Sequence, residues 1–197
     1  MIEIEKNFDL KPGDKERIVR GAEFLRKKVF TDVYYDSKDF RLTRADYWLR
    51  ERDGKWELKV PVRSIATRDG GIDRYTELES ETEIIKELRL PPDNPLNQSL
   101  QKEGIIPFAR IVTNRETYQM SEFHLDFDEM DFGFSTFEVE LMVSSPADIP
   151  EAERKIEEFA RAHGISSTKA RGKVIQYLYI NNTDHFEALK NAGVIRE

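Results

Sequence analysis

The sequence predicts an α+β domain in which about eight strands close into a β-barrel with helices packed on its apolar exterior. Five stretches place charged residues at every second position with apolar residues between them, the period of a strand with two unlike faces. The charges are also sorted by strand, carboxylates on some and arginines on another. Helical patterns break up the strands, and no linker, repeat or low-complexity tract appears, so one domain spanning 1–197 is expected.

The first strand is IEIEKNF, with Glu3 and Glu5 on one face and Ile2 and Ile4 on the other. Pro12-Gly13-Asp14 then turns the chain into a helix predicted over 14–28, with Ile18, Phe24 and Leu25 as its buried stripe. Strands follow at 33–37, at 47–52 (YWLRER) and at 55–62 (KWELKVPV), the last two joined by a tight hairpin at Asp53-Gly54. Arg50 and Arg52 share a face, as do Glu57 and Lys59; Trp48, Trp56, Leu58 and Val60 are assigned to the apolar side. Gly70-Gly71 leads into DRYTELE, where Glu77 and Glu79 share a face. Helical segments are predicted near 80–89 and 95–103, the first stopped by Pro91-Pro92. Three strands occupy 106–142, carrying Arg110 and Arg115, then Asp126 and Asp128 opposite Leu125 and Phe127, then Glu138 and Glu140 opposite Phe137, Val139 and Leu141. Pro150 opens a helix through His163, ended by Gly164, with Ile156, Phe159 and Ala160 inward. The tail holds a KVIQYLY segment and a last helix over 183–192.

Solvated faces on an open sheet would show the same alternation. Sorting of the charges favours a lumen with acidic and basic walls, since a barrel of about eight strands holds one small ligand. Carboxylates are hard oxygen donors suited to Mg²⁺ or Mn²⁺, and guanidinium forks match phosphate oxygens. Together the walls describe a site for a metal-bound polyphosphate.

A charged content of 35% with a formal net charge of −7 argues against an extended nucleic-acid footprint. No apolar run approaches the roughly 18 residues of a membrane span, and no secretory leader opens the chain, so no membrane association is expected. The absence of cysteine removes disulfides and thiolate metal sites, consistent with a cytoplasmic protein.

Phosphate has to be held by side chains, because neither a P-loop nor a dinucleotide-binding glycine fingerprint is present. Asp131-Phe132-Gly133 matches the kinase magnesium triplet but lacks the glycine-rich loop and catalytic segment that give it meaning, and reads as a hairpin-edge turn. His124, His163 and His185 lack ligand spacing and read as surface or satisfied polar positions. Ser64 and Ser121 lack the context of a nucleophile elbow.

Seven blocks, IEIEKNF, YWLRER, WELKVP, RYTELE, HLDFD, FEVEL and GKVIQYL, occur in an order that resembles the CYTH superfamily, or triphosphate tunnel metalloenzymes. Within it, YYDS, ADYWLRER and KWELKVP are most similar to the thiamine triphosphatase branch. The resemblance implies a closed eight-stranded antiparallel tunnel that binds a linear triphosphate and uses Mg²⁺, with Mn²⁺ as an alternative. By the same resemblance Glu5, Glu138 and Glu140 are the leading metal ligands, with Glu3, Glu77, Asp126 and Asp128 completing the acidic wall. Arg50, Arg52, Lys59, Arg115 and Lys173 hold the phosphates, with Arg52, Lys59 and Lys173 in catalytic roles, and Trp48 stacks on the thiamine moiety. A core or rim aromatic is the plainer reading of Trp48, and Glu79, Glu51 and Arg44 read as solvent charges.

One position departs from the pattern. The family's first motif reads Glu-x-Glu-x-Lys, whereas here Asn7 takes the last place. Strand parity points Asn7 into the lumen and Lys6 out. The expected activity is hydrolysis of thiamine triphosphate to the diphosphate and phosphate by a monomer. Inorganic or nucleoside triphosphate is the alternative substrate; adenylyl cyclisation finds no adenine or ribose reader here. A non-catalytic polyphosphate-binding module is the rival that Asn7 favours.

Overall fold

The computed structural model describes residues 1–62, 72–166 and 170–195. The expectations for Ser64 and for Gly70-Gly71 lie outside the described residues. In chain order the elements are β1 (Ile2–Phe8), α1 (Asp14–Ile18), β2 (Glu23–Asp36), β3 (Trp48–Arg52), β4 (Lys55–Pro61) and β5 (Asp73–Leu78). They continue with α2 (Glu81–Glu87), α3 (Leu96–Lys102), β6 (Ile106–Met120), β7 (Phe123–Met130), β8 (Ser135–Val143), α4 (Ile149–Ala162), α5 (Lys173–Asn181) and α6 (Thr183–Asn191). Among the described residues, eight strands close into one barrel in the order β1-β5-β4-β3-β2-β6-β7-β8. Every neighbouring pair is antiparallel, including the closing pair β1 and β8.

The predicted helix over 14–28 is wrong beyond its first turn. Helix α1 ends at Ile18, and residues from Glu23 onward form the first half of β2. The local run of Glu, Leu, Arg and Lys favours a helix, but pairing with β6 along nearly the whole of β2 overrides that weak preference. Ile18 is buried as expected, whereas Phe24 and Leu25 are 53% and 43% exposed. Trp48 also needs correcting. Two residues before Arg50, it shares the face of the arginines and lines the interior cavity.

Apolar faces point outward and are covered by helices. On β1, β7 and β8, Ile4, Leu125, Val139 and Leu141 pack with Ile149, Ile156, Phe159 and Ala160 of α4. The inward stripe of α4 therefore matches the expected one. Leu49 and Leu58 meet Ile84 of α2 and Leu96 and Leu100 of α3. Trp48 and Tyr75 gather with Leu178, Phe186 and Leu189 of α5 and α6 at the end of the barrel where β3 begins. Because β1 is covered by α4 outside and by the lumen inside, all seven of its residues are buried. Lys6 points outward to an ion pair with Glu157 of α4, as strand parity requires. Asp53 and Gly54 both take positive φ, +49° and +82°, the geometry of a two-residue hairpin turn. Asp131-Phe132-Gly133 is the β7–β8 turn, with Gly133 at φ +82°. Among the described residues no helix is long and apolar enough to cross a membrane.

Candidate active site

The barrel encloses a cavity of about 1060 Å³. All thirteen residues assigned from the sequence line it: Glu3, Glu5, Trp48, Arg50, Arg52, Lys59, Glu77, Arg115, Asp126, Asp128, Glu138, Glu140 and Lys173. Period-two alternation explains this convergence, since each strand sends every second side chain inward. Register then sets the neighbours. Glu5 lies opposite Glu140, Glu138 opposite both Asn7 and Asp126, Lys59 opposite Glu77, and Arg50 opposite Glu57.

The cations are held in place by carboxylates. Lys59 Nζ lies 2.6 Å from Glu5 Oε2 and 2.7 Å from Glu3 Oε2. Burial opposes its charge, but Glu5 and Glu3 outweigh that and raise the Lys59 pKa well above its ordinary value. Arg50 donates to Glu57 Oε2 at 2.7 Å. Arg115 forms two 2.6 Å hydrogen bonds to Asp128, pairs with Asp126, and reaches Glu138 at 3.2 Å. Such forked pairs fix the guanidinium plane as well as its charge.

Sequence reading missed the carboxylate beneath the basic wall. Asp32, with no exposed surface, accepts two hydrogen bonds from Arg52 at 2.7 and 3.1 Å. Lys173 Nζ sits 2.6 Å from Oδ2, the oxygen that also accepts the longer Arg52 bond, and Arg50 lies 3.9 Å from Oδ1. Although burial works against ionisation, these cations hold the Asp32 carboxyl well below the usual range. Lys173 is left short of negative charge because it shares Asp32 with two arginines. Burial is the main reason its pKa falls to about 8, and Arg115 and Arg52 push the same way. Next to Asp32 along β2, the ring of Phe30 has Arg52 at 4.2 Å, Lys173 at 4.9 Å and Arg115 at 5.6 Å from its centroid. A buried aromatic face there attracts all three cations.

Asp32 and Phe30 share parity with Tyr34, but the helix expected over 14–28 hid their strand. Glu57, Asp73 and His124 also line the cavity. His124 has the parity of Asp126 and Asp128, so the alternation alone could have found it. The other two histidines are polar fixtures. His163 Nδ1 is 2.8 Å from the Phe159 carbonyl, and buried His185 has Nε2 2.7 Å from Thr43 Oγ1.

Opposite the basic wall the carboxylates share few cations, Glu3, Glu5 and Glu77 meeting at Lys59, and Asp126, Asp128 and Glu138 at Arg115. Burial, reinforced by neighbouring carboxylates, raises Glu5 to about 7, Glu138 to about 8 and Glu140 to about 7. Asp126 Oδ1 is buried without a hydrogen-bond partner. Among the described residues no three acidic or imidazole groups converge as a ready ligand set, because Lys59 and Arg115 draw several carboxylates toward themselves. The donors nonetheless fit a hard divalent cation in type: Glu5, Glu138 and Glu140 are oxygen donors at neighbouring register positions of β1 and β8, and burial among carboxylates disfavours the charge of each. Ten acidic and seven basic described side chains line the cavity, so a polyanion accompanied by a cation is better matched to it than a bare one.

Asn7 is 5% exposed and faces the cavity, where Thr136 Oγ1 donates to its Oδ1 at 3.2 Å. Its backbone carbonyl accepts the Ala170 N–H at 3.0 Å, tying β1 to the segment that presents Lys173. At the far end of the arginine strand, Trp48 Nε1 donates to Asp46 Oδ1 at 3.0 Å, and the Tyr75 hydroxyl donates to the same oxygen at 2.9 Å. Trp48, Tyr75, Ile175 and Val194 form an apolar end to an otherwise polar cavity.

A family model for the CYTH domain matches residues 1–172. The chain is 31% identical over 215 residues to human thiamine-triphosphatase, covering 100% of this chain and 93% of the relative. It is 30% identical over 207 residues to the Macaca fascicularis thiamine-triphosphatase, covering 96% and 89%. Among solved structures, the PH1819 protein of Pyrococcus horikoshii aligns with a TM-score of 0.63 at 22% identity, covering 90% of this chain and 98% of that one.

Proposed function

This chain belongs to the CYTH domain family, and on that footing we propose that it is a metal-dependent triphosphatase that hydrolyses thiamine triphosphate to the diphosphate and phosphate. The observation that carries the reading is the juxtaposition, in one cavity, of five paired cations, a carboxylate wall short of positive charge and an apolar end containing Trp48. The thiamine-triphosphatase relatives support the choice of substrate.

Lys59, Arg50, Arg52, Arg115 and Lys173 bind the non-bridging oxygens of the phosphate chain. Lys59 and Arg115 do so by exchanging a carboxylate for a phosphate oxygen, whereas Arg52 and Lys173 keep buried Asp32 behind them, so the site is preorganised by its own ion pairs. Their charges neutralise the negative charge that spreads over the transferred phosphoryl group. Phe30 and Asp32 keep three of these cations from turning away. Glu5, Glu138 and Glu140 would hold Mg²⁺ or Mn²⁺, which supplies further charge neutralisation and orientation of phosphate oxygens. Trp48 offers a ring face to the cationic thiazolium, worth roughly 0.5–2 kcal/mol. Water is the nucleophile.

Asn7 favours a second reading, a polyphosphate-binding protein without turnover, because a neutral side chain stands in the lumen where the family motif has lysine. Phosphate release measured in parallel from thiamine triphosphate, tripolyphosphate and ATP with Mg²⁺ separates the readings. Preference for thiamine triphosphate is expected; binding without release from any of them would establish the second.

A further inference from the structure

The lumen cations differ in one respect that the proposed chemistry does not use. Those of the basic wall each hold at least one carboxylate, and Arg171 hydrogen bonds Gln176 and lies 4.0 Å from the Tyr179 ring. Arg26 also lines the cavity and is exposed, yet among the described residues its side chain makes neither ion pair nor hydrogen bond.

Its inward direction is built into β2. Phe24 pairs with Tyr118 and Arg26 with Thr117, so the ladder carries one extra residue, Leu25, on the β2 side. In an uninterrupted strand Phe24 and Arg26 would share a face. The bulge separates them: Phe24 packs edge-on against Tyr118 outside, with centroids 5.3 Å apart, and Arg26 turns to the lumen. Bulges beside functional sites re-aim side chains in this way. The same cross-strand row continues through Thr117, Asp126 and Glu138.

We propose that Arg26 is the capture cation of the tunnel, the guanidinium that engages an arriving polyphosphate before the basic wall does. A phosphate that binds Arg115 or Lys59 must displace a carboxylate, whereas one that meets Arg26 displaces only water. An exposed charge at the rim of an acidic cavity governs association and its salt dependence more than the chemical step. The inference rests on the reading of the tunnel as a triphosphate site.

The test compares wild type, Arg26→Gln and, as a charge-matched control on the exposed surface of β6, Arg110→Gln. Hydrolysis of tripolyphosphate with Mg²⁺ is followed over a range of ionic strength, and its binding is measured by calorimetry. In Arg26→Gln, KM and Kd are expected to rise roughly tenfold, the scale on which a focused charge alters association. The turnover number should change less than about twofold, as for uniform binding lost from ground and transition states alike. The salt dependence of kcat/KM should flatten in this variant and stay unchanged in Arg110→Gln. Wild-type Kd and salt dependence in Arg26→Gln overturn the inference alone, as does loss of turnover with Kd unchanged. Wild-type protein that neither binds nor hydrolyses tripolyphosphate or thiamine triphosphate overturns the tunnel reading, and the inference with it.

Discussion

Lys173 Nζ lies 2.6 Å from Asp32 Oδ2, joining the first turn of α5 to the wall of the barrel. Asp32 also takes both hydrogen bonds of Arg52, so one fully buried carboxylate organises the basic wall. Replacing it by Asn leaves buried cations without their counter-ion. Asp32→Asn is therefore expected to lose roughly 3–5 kcal/mol of stability, read as a lowered urea midpoint, together with most phosphate release. An unchanged midpoint would show that Asp32 is not the organising charge.

The same relationship gives a pH dependence. Burial, with help from Arg115 and Arg52, lowers the Lys173 pKa to about 8. The side chain is cationic below that value and loses its charge as pH rises through it. Affinity for triphosphate should fall above pH 8 in wild type and stay flat to about pH 9 in Lys173→Arg, whose guanidinium does not titrate. KM measured across this range in both proteins checks it; identical profiles would remove Lys173 from phosphate binding.

Trp48 is fixed by Asp46 at the apolar end of the cavity. Thiamine diphosphate should quench tryptophan fluorescence in wild type and do so much less in Trp48→Phe. Trp48→Ala should lose about 2- to 30-fold of its preference for thiamine triphosphate over tripolyphosphate, the equivalent of one cation–π contact. Equal quenching in wild type and Trp48→Phe would place the organic group elsewhere.

His185 ties α6 to the β2–β3 connection. Thr43 Oγ1 lies 2.7 Å from His185 Nε2 and 2.6 Å from Asp36 Oδ2, and the imidazole stacks on Phe40 at 3.9 Å. Burial lowers its pKa to about 4, below the ordinary 6.5 of the unfolded chain. The unfolded state thus takes up the proton first, and stability is lost as pH falls from about 6.5 through about 4, by up to about 3 kcal/mol. Urea titrations at pH 7 and pH 4.5 should show this loss in wild type and a smaller one in His185→Gln.

Much of this site is legible in the sequence because its logic is strand parity. Glu3, Glu5, Asp126, Asp128, Glu138 and Glu140 alternate with apolar residues that α4 covers, and a closed sheet leaves such charges one place to go. What stayed hidden depends on contacts between distant segments. The stretch from Glu23 to Lys28 has the composition of a helix and becomes strand through its pairing with β6, so Arg26, Phe30 and Asp32 were out of sight. Lys173 is positioned partly by the bond from the Ala170 N–H to the Asn7 carbonyl, which no local pattern announces. Trp48 was placed on the wrong face although its spacing from Arg50 is even; an aromatic residue among apolar neighbours draws an assignment to the core that parity contradicts.

Phosphate release from thiamine triphosphate by Glu138→Gln, beside wild type and at saturating Mg²⁺, decides whether the acidic wall serves metal-dependent hydrolysis. Glu138 faces Asn7 and Asp126 in register, and burial among carboxylates raises its pKa to about 8, so its charge is most in need of a cation. Metal-dependent release by wild type is expected, with a loss on the order of 100-fold or more in the variant and its melting temperature retained. Wild-type rates in Glu138→Gln, or release by wild type that persists after chelation, would contradict it.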